Sequence, residues 1–205
     1  MAANYNNSAW FYDRLSRVVY GKALVNAQVY LLKYVPANSK VLIVGGGTGW
    51  ILEELSKIYS SGLDITYVEI AEHMMALSQK RNTAGNTVTF INNAVENVVL
   101  STDFDIVITP FLFDNFTEQT LGKVFTHIQS LLKKDGLWLN TDFQLTGKWW
   151  QQVLLKTMFL FFKILCGIEA SKLPAIEKRF AEAGYQVVDR KTFFGDFIVS
   201  EAYKK

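Results

Sequence analysis

The sequence predicts an α/β fold, a mostly parallel sheet with helices on both faces and an antiparallel strand closing it at the C-terminus. Three observations carry this reading. Strand-like and helix-like segments alternate from residue 40 to residue 143, a glycine cluster joins the first strand to its helix, and two β-rich runs flank Gly195 near the end. Parallel neighbours need long crossover connections, and the alternating helices supply them.

The elements follow in order. Residues 8–35 place apolar side chains at mixed three- and four-residue spacings, which predicts a helical N-terminal cap over 1–36. Pro36 and Asn38 then break the pattern. The apolar run KVLIV (40–44) predicts a buried strand, and WILEELSKIYS (50–60) a helix. DITYVEI (64–70) predicts a strand, residues 71–83 a helix, TVTFIN (87–92) a strand, and DFDIVITPF (103–111) another. Residues 117–134 predict a helix stopped at Asp135-Gly136, with LWLNTDF (137–143) as the next strand. A helix over 173–184 ends at Gly184, as helices often do at a glycine. The last two runs, YQVVDRKTFF and DFIVSEAYKK, then form a hairpin.

Composition narrows the function. At 205 residues and 50% hydrophobic content, the chain fits a single domain, 1–205, with a sizeable core. A net charge of +2, with Lys and Arg scattered and no basic stripe, argues against nucleic acid as a partner. Cys166 is the only cysteine, and the histidines are His73 and His127, so neither an internal disulfide nor a structural metal site is expected. MAANYNNSAWFYDRLSR has no basic lead and no apolar centre, unlike a secretory signal, and a cytoplasmic location is expected.

The functional signal lies in Gly45, Gly46, Gly47, Thr48 and Gly49, between a strand and a helix. Glycine is the residue that loses most backbone entropy on folding, so this density implies a backbone that something approaches closely. Nicotinamide and flavin folds place a third glycine where this chain has Trp50, and no Gly-Lys-Ser/Thr follows for a phosphate loop. The pattern satisfied is G-x-G-x-G.

That loop resembles the class I S-adenosylmethionine-dependent methyltransferases, nearest to the small-molecule branch with the ubiquinone- and menaquinone-type enzymes. The resemblance runs over most of 40–143. It implies a Rossmann-like three-layer sandwich with a seven-stranded sheet of order 3-2-1-4-5-7-6. It also implies that the glycine loop lies under the methionine part of S-adenosyl-L-methionine, the product being S-adenosyl-L-homocysteine. In YVEIAEHMMALSQKR, Glu69 takes the acidic position, twenty residues after Gly49, where a carboxylate accepts from the ribose hydroxyls. Ile70 and Met74 would flank adenine. In FINNAVENV, Asn93 and the N–H of Ala94 would meet its edge. In FDIVITPFLFDNF, Thr109 and Pro110 would sit beside the methionine end, with Asp114 as the candidate catalytic base. Tyr5, Tyr12 and Tyr20 would help cover the cofactor. Two departures stand out: Ile43 replaces the usual acidic residue before the glycines, and Asp114-Asn115 replace the histidines common after the fourth strand.

The chemistry implied is in-line methyl transfer, which needs orientation and exclusion of water more than covalent help from protein. Residues 147–172 supply an apolar, aromatic insertion with Trp149, Trp150, Phe159, Phe161 and Phe162. Three readings of it stay open: a lid over a hydrophobic small-molecule acceptor, a peripheral membrane contact through 149–168, and a homodimer interface. Two readings of the whole chain compete with the enzyme. One is a non-catalytic S-adenosylmethionine-binding or scaffold protein; the other, set against by Trp50, is an NAD(P)-dependent oxidoreductase.

Overall fold

A computed structural model describes residues 19–100, 103–166 and 170–205. Its seven strands are β1 (Lys40–Val44), β2 (Ser61–Val68), β3 (Gly85–Ile91), β4 (Phe104–Pro110), β5 (Leu132–Phe143), β6 (Gln186–Phe193) and β7 (Ile198–Lys204). They form one sheet in the order β3-β2-β1-β4-β5-β7-β6. Pairings among β1 to β5 are parallel, and β7 runs antiparallel to both β5 and β6. The helices are α1 (Ala23–Leu31), α2 (Trp50–Ile58), α3 (Glu72–Ser78), α4 (Glu118–Leu131), α5 (Trp149–Cys166) and α6 (Ile176–Glu182).

Strand periodicity divides the core. Val41 and Ile43 of β1 point to one side with Ile51, Leu52 and Leu55 of α2, whereas Leu42 and Val44 point to the other, with Leu121, Phe125 and Ile128 of α4. The sheet therefore has a hydrophobic layer on each face, the reason every residue of β1 after Lys40 is buried. The second layer centres on Trp138, stacked on Phe125 at 4.9 Å and edge-on to Phe180 of α6 at 4.9 Å. A third cluster of Tyr20, Phe143, Phe197 and the inner side of α5 sits at the carboxyl ends of β4 and β5.

The predicted strand order and the antiparallel closure are observed, while several boundaries differ. The helix expected over 8–35 is interrupted at Gly21, whose φ of +59° suits a turn, and resumes as α1; residues 8–18 lie outside the described residues. α4 stops at Leu131, short of 134, because Leu132 already pairs with Phe104 of β4. The ladder then skips to Leu137 opposite Ile106, and the intervening bulge is tied down by an ion pair from Lys133 to Asp105 at 2.6 Å. Gly136 fits there for lack of room: a Cβ would lie 2.5 Å from Leu132 Cδ1 and 2.9 Å from the carbonyl oxygen of Asp105. α3 ends at Ser78 rather than at residue 83. α1 is fastened across the sheet edge, where Tyr30 and Tyr34 each donate to Asp189 at 2.7 Å and Lys33 pairs with the same carboxylate.

Candidate functional site

The glycine loop leaves the carboxyl end of β1 and enters α2, with Gly45, Gly47 and Gly49 at φ of +70°, +63° and +77°. L-residues carrying a Cβ avoid this region. Space restricts two further choices. A Cβ on Gly46 would lie 2.4 Å from the Tyr67 ring, and one on Gly49 would lie 2.5 Å from Ser78 Cβ. Gly49 thus lets α2 start against α3, so close packing is achieved although Trp50 holds the slot of a third glycine. Gly47 differs. A Cβ there would meet only Met74 Sδ, at 3.9 Å, so its outward side is open to a guest.

Glu69 follows β2 and is 5% exposed. Its Oε2 accepts from Gly47 N at 2.9 Å and its Oε1 from Ala71 N at 2.8 Å. Burial pushes this carboxyl above its ordinary range, while the N–H groups of Ala71, Gly47 and Ile70 pull the other way. A carboxylate has about four acceptor positions, so capacity remains beyond these N–H groups for a hydroxyl donor. Ile70, 40% exposed, and Met74, which is buried, follow this acid one and five positions later, an apolar pairing suited to a flat base.

The residues carried over from the resemblance divide in their placement. Asn93 is exposed, and its Oδ1 accepts from Ala94 N at 2.8 Å, so these two expected adenine contacts partly satisfy each other. Thr48 is held from behind: Arg81 donates to its carbonyl oxygen at 2.9 Å and to its hydroxyl at 3.3 Å. Thr109 is fully buried, accepting from Trp138 Nε1 at 3.0 Å and donating to Asn140 Oδ1 at 2.8 Å. Its hydroxyl is committed to the core, and Pro110, the last residue of β4, is buried as well. Ile43, the departure from the acidic position, is fully buried in the layer with α2. Tyr5 and Tyr12 lie outside the described residues; Tyr20 is in the rim cluster, 5.6 Å from Phe143.

Asp114 is 8% exposed and Asp142, at the end of β5, 2%. Asp142 accepts from Phe113 N at 3.1 Å and Phe143 N at 2.8 Å, and Asp114 accepts from Asn115 Nδ2 at 2.7 Å. Burial, reinforced by Asp142, pushes the Asp114 carboxyl well above the carboxylate range; burial also raises Asp142, to about 7. Both shifts favour the protonated acid over the carboxylate, and Asp114 is the more strongly affected of the two. Tyr20 is raised by burial and by Asp114, which places this phenol within reach of the acid's field. The rim thus joins an acidic pair to the rings of Tyr20, Phe111 and Phe143, the last two 5.0 Å apart.

Three supporting residues escaped sequence reasoning. Tyr67 donates to Gly47 O at 2.9 Å, Arg81 clamps Thr48, and Asn92 donates to the carbonyl oxygens of Glu69 at 2.8 Å and Ile70 at 3.1 Å. Only Tyr67 had a signal, sharing a strand face with Glu69 two residues later.

Residues 41–136 match the family described as a methyltransferase domain. A malonyl-[acyl-carrier protein] O-methyltransferase of Bacillus cereus is 33% identical over 144 residues, 68% of this chain and 51% of that protein. The chain therefore spans about half the length of that curated relative. A similar solved structure is the 1,6-didemethyltoxoflavin-N1-methyltransferase of Burkholderia thailandensis, holding 1,6-didemethyltoxoflavin and S-adenosylhomocysteine. It is 16% identical with a TM-score of 0.68, over 97% of this chain and 84% of that one. A SAM-dependent methyltransferase from Aquifex aeolicus has a TM-score of 0.65 at 16% identity, covering 97% of both chains. At these identities the likeness to the two solved structures is one of fold.

Proposed function

The chain belongs to the class I S-adenosylmethionine-dependent methyltransferases, and on that premise we propose that it methylates a small acceptor with an apolar or aromatic body. The observation that carries the cofactor half is the joint grip of Gly47 and Glu69. An open glycine backbone and a buried, N–H-fixed carboxylate with acceptor capacity left over meet within one hydrogen bond. The residues present fit the group. Gly45 to Gly49 would support its methionine portion, Glu69 its ribose, and Ile70 with Met74 its adenine. Bound there, S-adenosylmethionine supplies an electrophilic methyl on a sulfonium.

The protein's own contribution is orientation. Tyr67, Arg81 and Asn92 fix the loop and the acid before any ligand arrives, so little ordering remains to be done on binding. The aromatic rings at the rim exclude water from the transfer site. Burial and the neighbouring Asp142 favour the protonated form of Asp114, which in that form can orient an acceptor as a hydrogen-bond donor and in its ionised form can accept the acceptor's proton.

The Bacillus cereus relative, by its name, acts on a carrier-bound malonyl group, which suggests a carboxylate acceptor as the second reading. The apolar, aromatic rim favours a neutral acceptor, since burying a carboxylate against those rings would cost its hydration. Turnover with methyl-labelled donor separates the readings. Label should pass to phenols, quinols or heteroaromatic amines and not to a malonyl thioester. Transfer to the malonyl thioester alone would overturn the proposal.

A further inference from the structure

α5 has two unlike sides. Its inner side buries Gln151, Leu155 and Phe159 against the rim cluster. On the outer side Trp149 is 77% exposed, Ile164 74%, Leu160 60% and Val153 55%. At 100° per residue these four side chains fall within an arc of roughly 60°. Lys156 and Lys163, both exposed, run along one border of that arc, and neither pairs with a carboxylate among the described residues. The helix carries no Asp or Glu at all. A water-facing helix normally shows the reverse pattern, with apolar residues turned inward only. Beside the arc an apolar groove of about 690 Å³ is lined by Val19, Trp150, Leu154 and Phe194 among others.

We propose that the outer face of α5 is a docking surface for an anionic phospholipid bilayer. The apolar arc would enter the boundary between headgroups and acyl chains, and Lys156 and Lys163 would lie against lipid phosphates. Charge selects this partner over a second copy of the chain. A two-fold contact uses the same patch twice, and an antiparallel pairing of two such helices would bring their lysine borders together with no acid on either helix to receive them. An anionic headgroup layer supplies the missing charge. The helix lies on the surface rather than crossing it: its inner side is committed to the protein core, and no helix among the described residues is long and apolar enough to span a membrane. The inference stands apart from the cofactor site.

Flotation with lipid vesicles tests it. The wild-type chain should float with vesicles containing about one-third phosphatidylglycerol at least tenfold more than with pure phosphatidylcholine, and high salt should release it. Leu160→Glu with Ile164→Glu should abolish flotation while circular dichroism and S-adenosylhomocysteine binding stay as in wild type. Lys156→Glu with Lys163→Glu should remove the preference for anionic lipid. Failure of the folded wild-type chain to float with the anionic vesicles would overturn the proposal. So would a dimer that the Leu160/Ile164 variant splits while leaving flotation unchanged.

Discussion

The Tyr67 hydroxyl donates to the carbonyl oxygen of Gly47 across 2.9 Å, while Glu69, two residues further along, accepts from the N–H of that same glycine. Both ends of one residue's backbone are thus held from β2 and its end. The cofactor loop is shaped less by its own sequence than by side chains some twenty residues away.

Tyr67→Phe keeps the ring against Gly46 and removes only the hydroxyl. Removing the donor to this half-buried carbonyl costs about 1–1.5 kcal/mol. Affinity for S-adenosylmethionine and S-adenosylhomocysteine should fall by about tenfold alike, with kcat at saturating donor near wild type. Calorimetry and initial rates check this split.

Gly46→Ala and Gly47→Ala should separate packing from strain. The added methyl at position 46 collides with the Tyr67 ring, an overpacking cost of about 1–3 kcal/mol, and should lower Tm clearly. At position 47 the methyl enters open space, so the fold should lose only the roughly 1–2 kcal/mol of a left-handed L-residue. Cofactor affinity should suffer in both. Thermal unfolding with and without S-adenosylhomocysteine distinguishes them.

The acidic pair gives a pH dependence with a defined sign. An unfolded Asp loses its proton near pH 4, whereas Asp142 in the fold does so at about 7, and burial beside Asp142 moves Asp114 in the same direction. Between those values the folded chain binds more protons than the unfolded one. The contribution is therefore fully present below the unfolded value and is lost as pH rises through the folded one, by at most about 1.4 kcal/mol per pH unit for each proton. Asp114→Asn, which can still accept from Asn115, should flatten the decline in Tm between about pH 5 and pH 8.

The sheet was legible because its cues are local. KVLIV reads as a strand buried on both faces, and the glycines mark the turn out of it. The loop and Glu69 were equally plain, since G-x-G-x-G and an acid after the next strand lie close in sequence. What escaped was brought together by topology. Arg81 reaches Thr48 across 33 positions, and Asp142 reaches Phe113 across 29, because β4 and β5 are neighbours with Pro110 opposite Thr141. Thr109 points into the core with Trp138 and Asn140, an orientation fixed by strand register, which spacing alone does not reveal. Boundaries failed where pairing overrode helical pattern, as at Leu132.

The most direct measurement is calorimetric titration of S-adenosylhomocysteine into the wild-type chain and into Glu69→Ala, each first shown to be folded by circular dichroism. Saturable binding at one site, weakened at least about tenfold by the substitution, is the expected result. No saturable binding to the wild-type chain at millimolar ligand, or equal affinity in the two proteins, would contradict the assignment of the glycine loop and Glu69 to the cofactor.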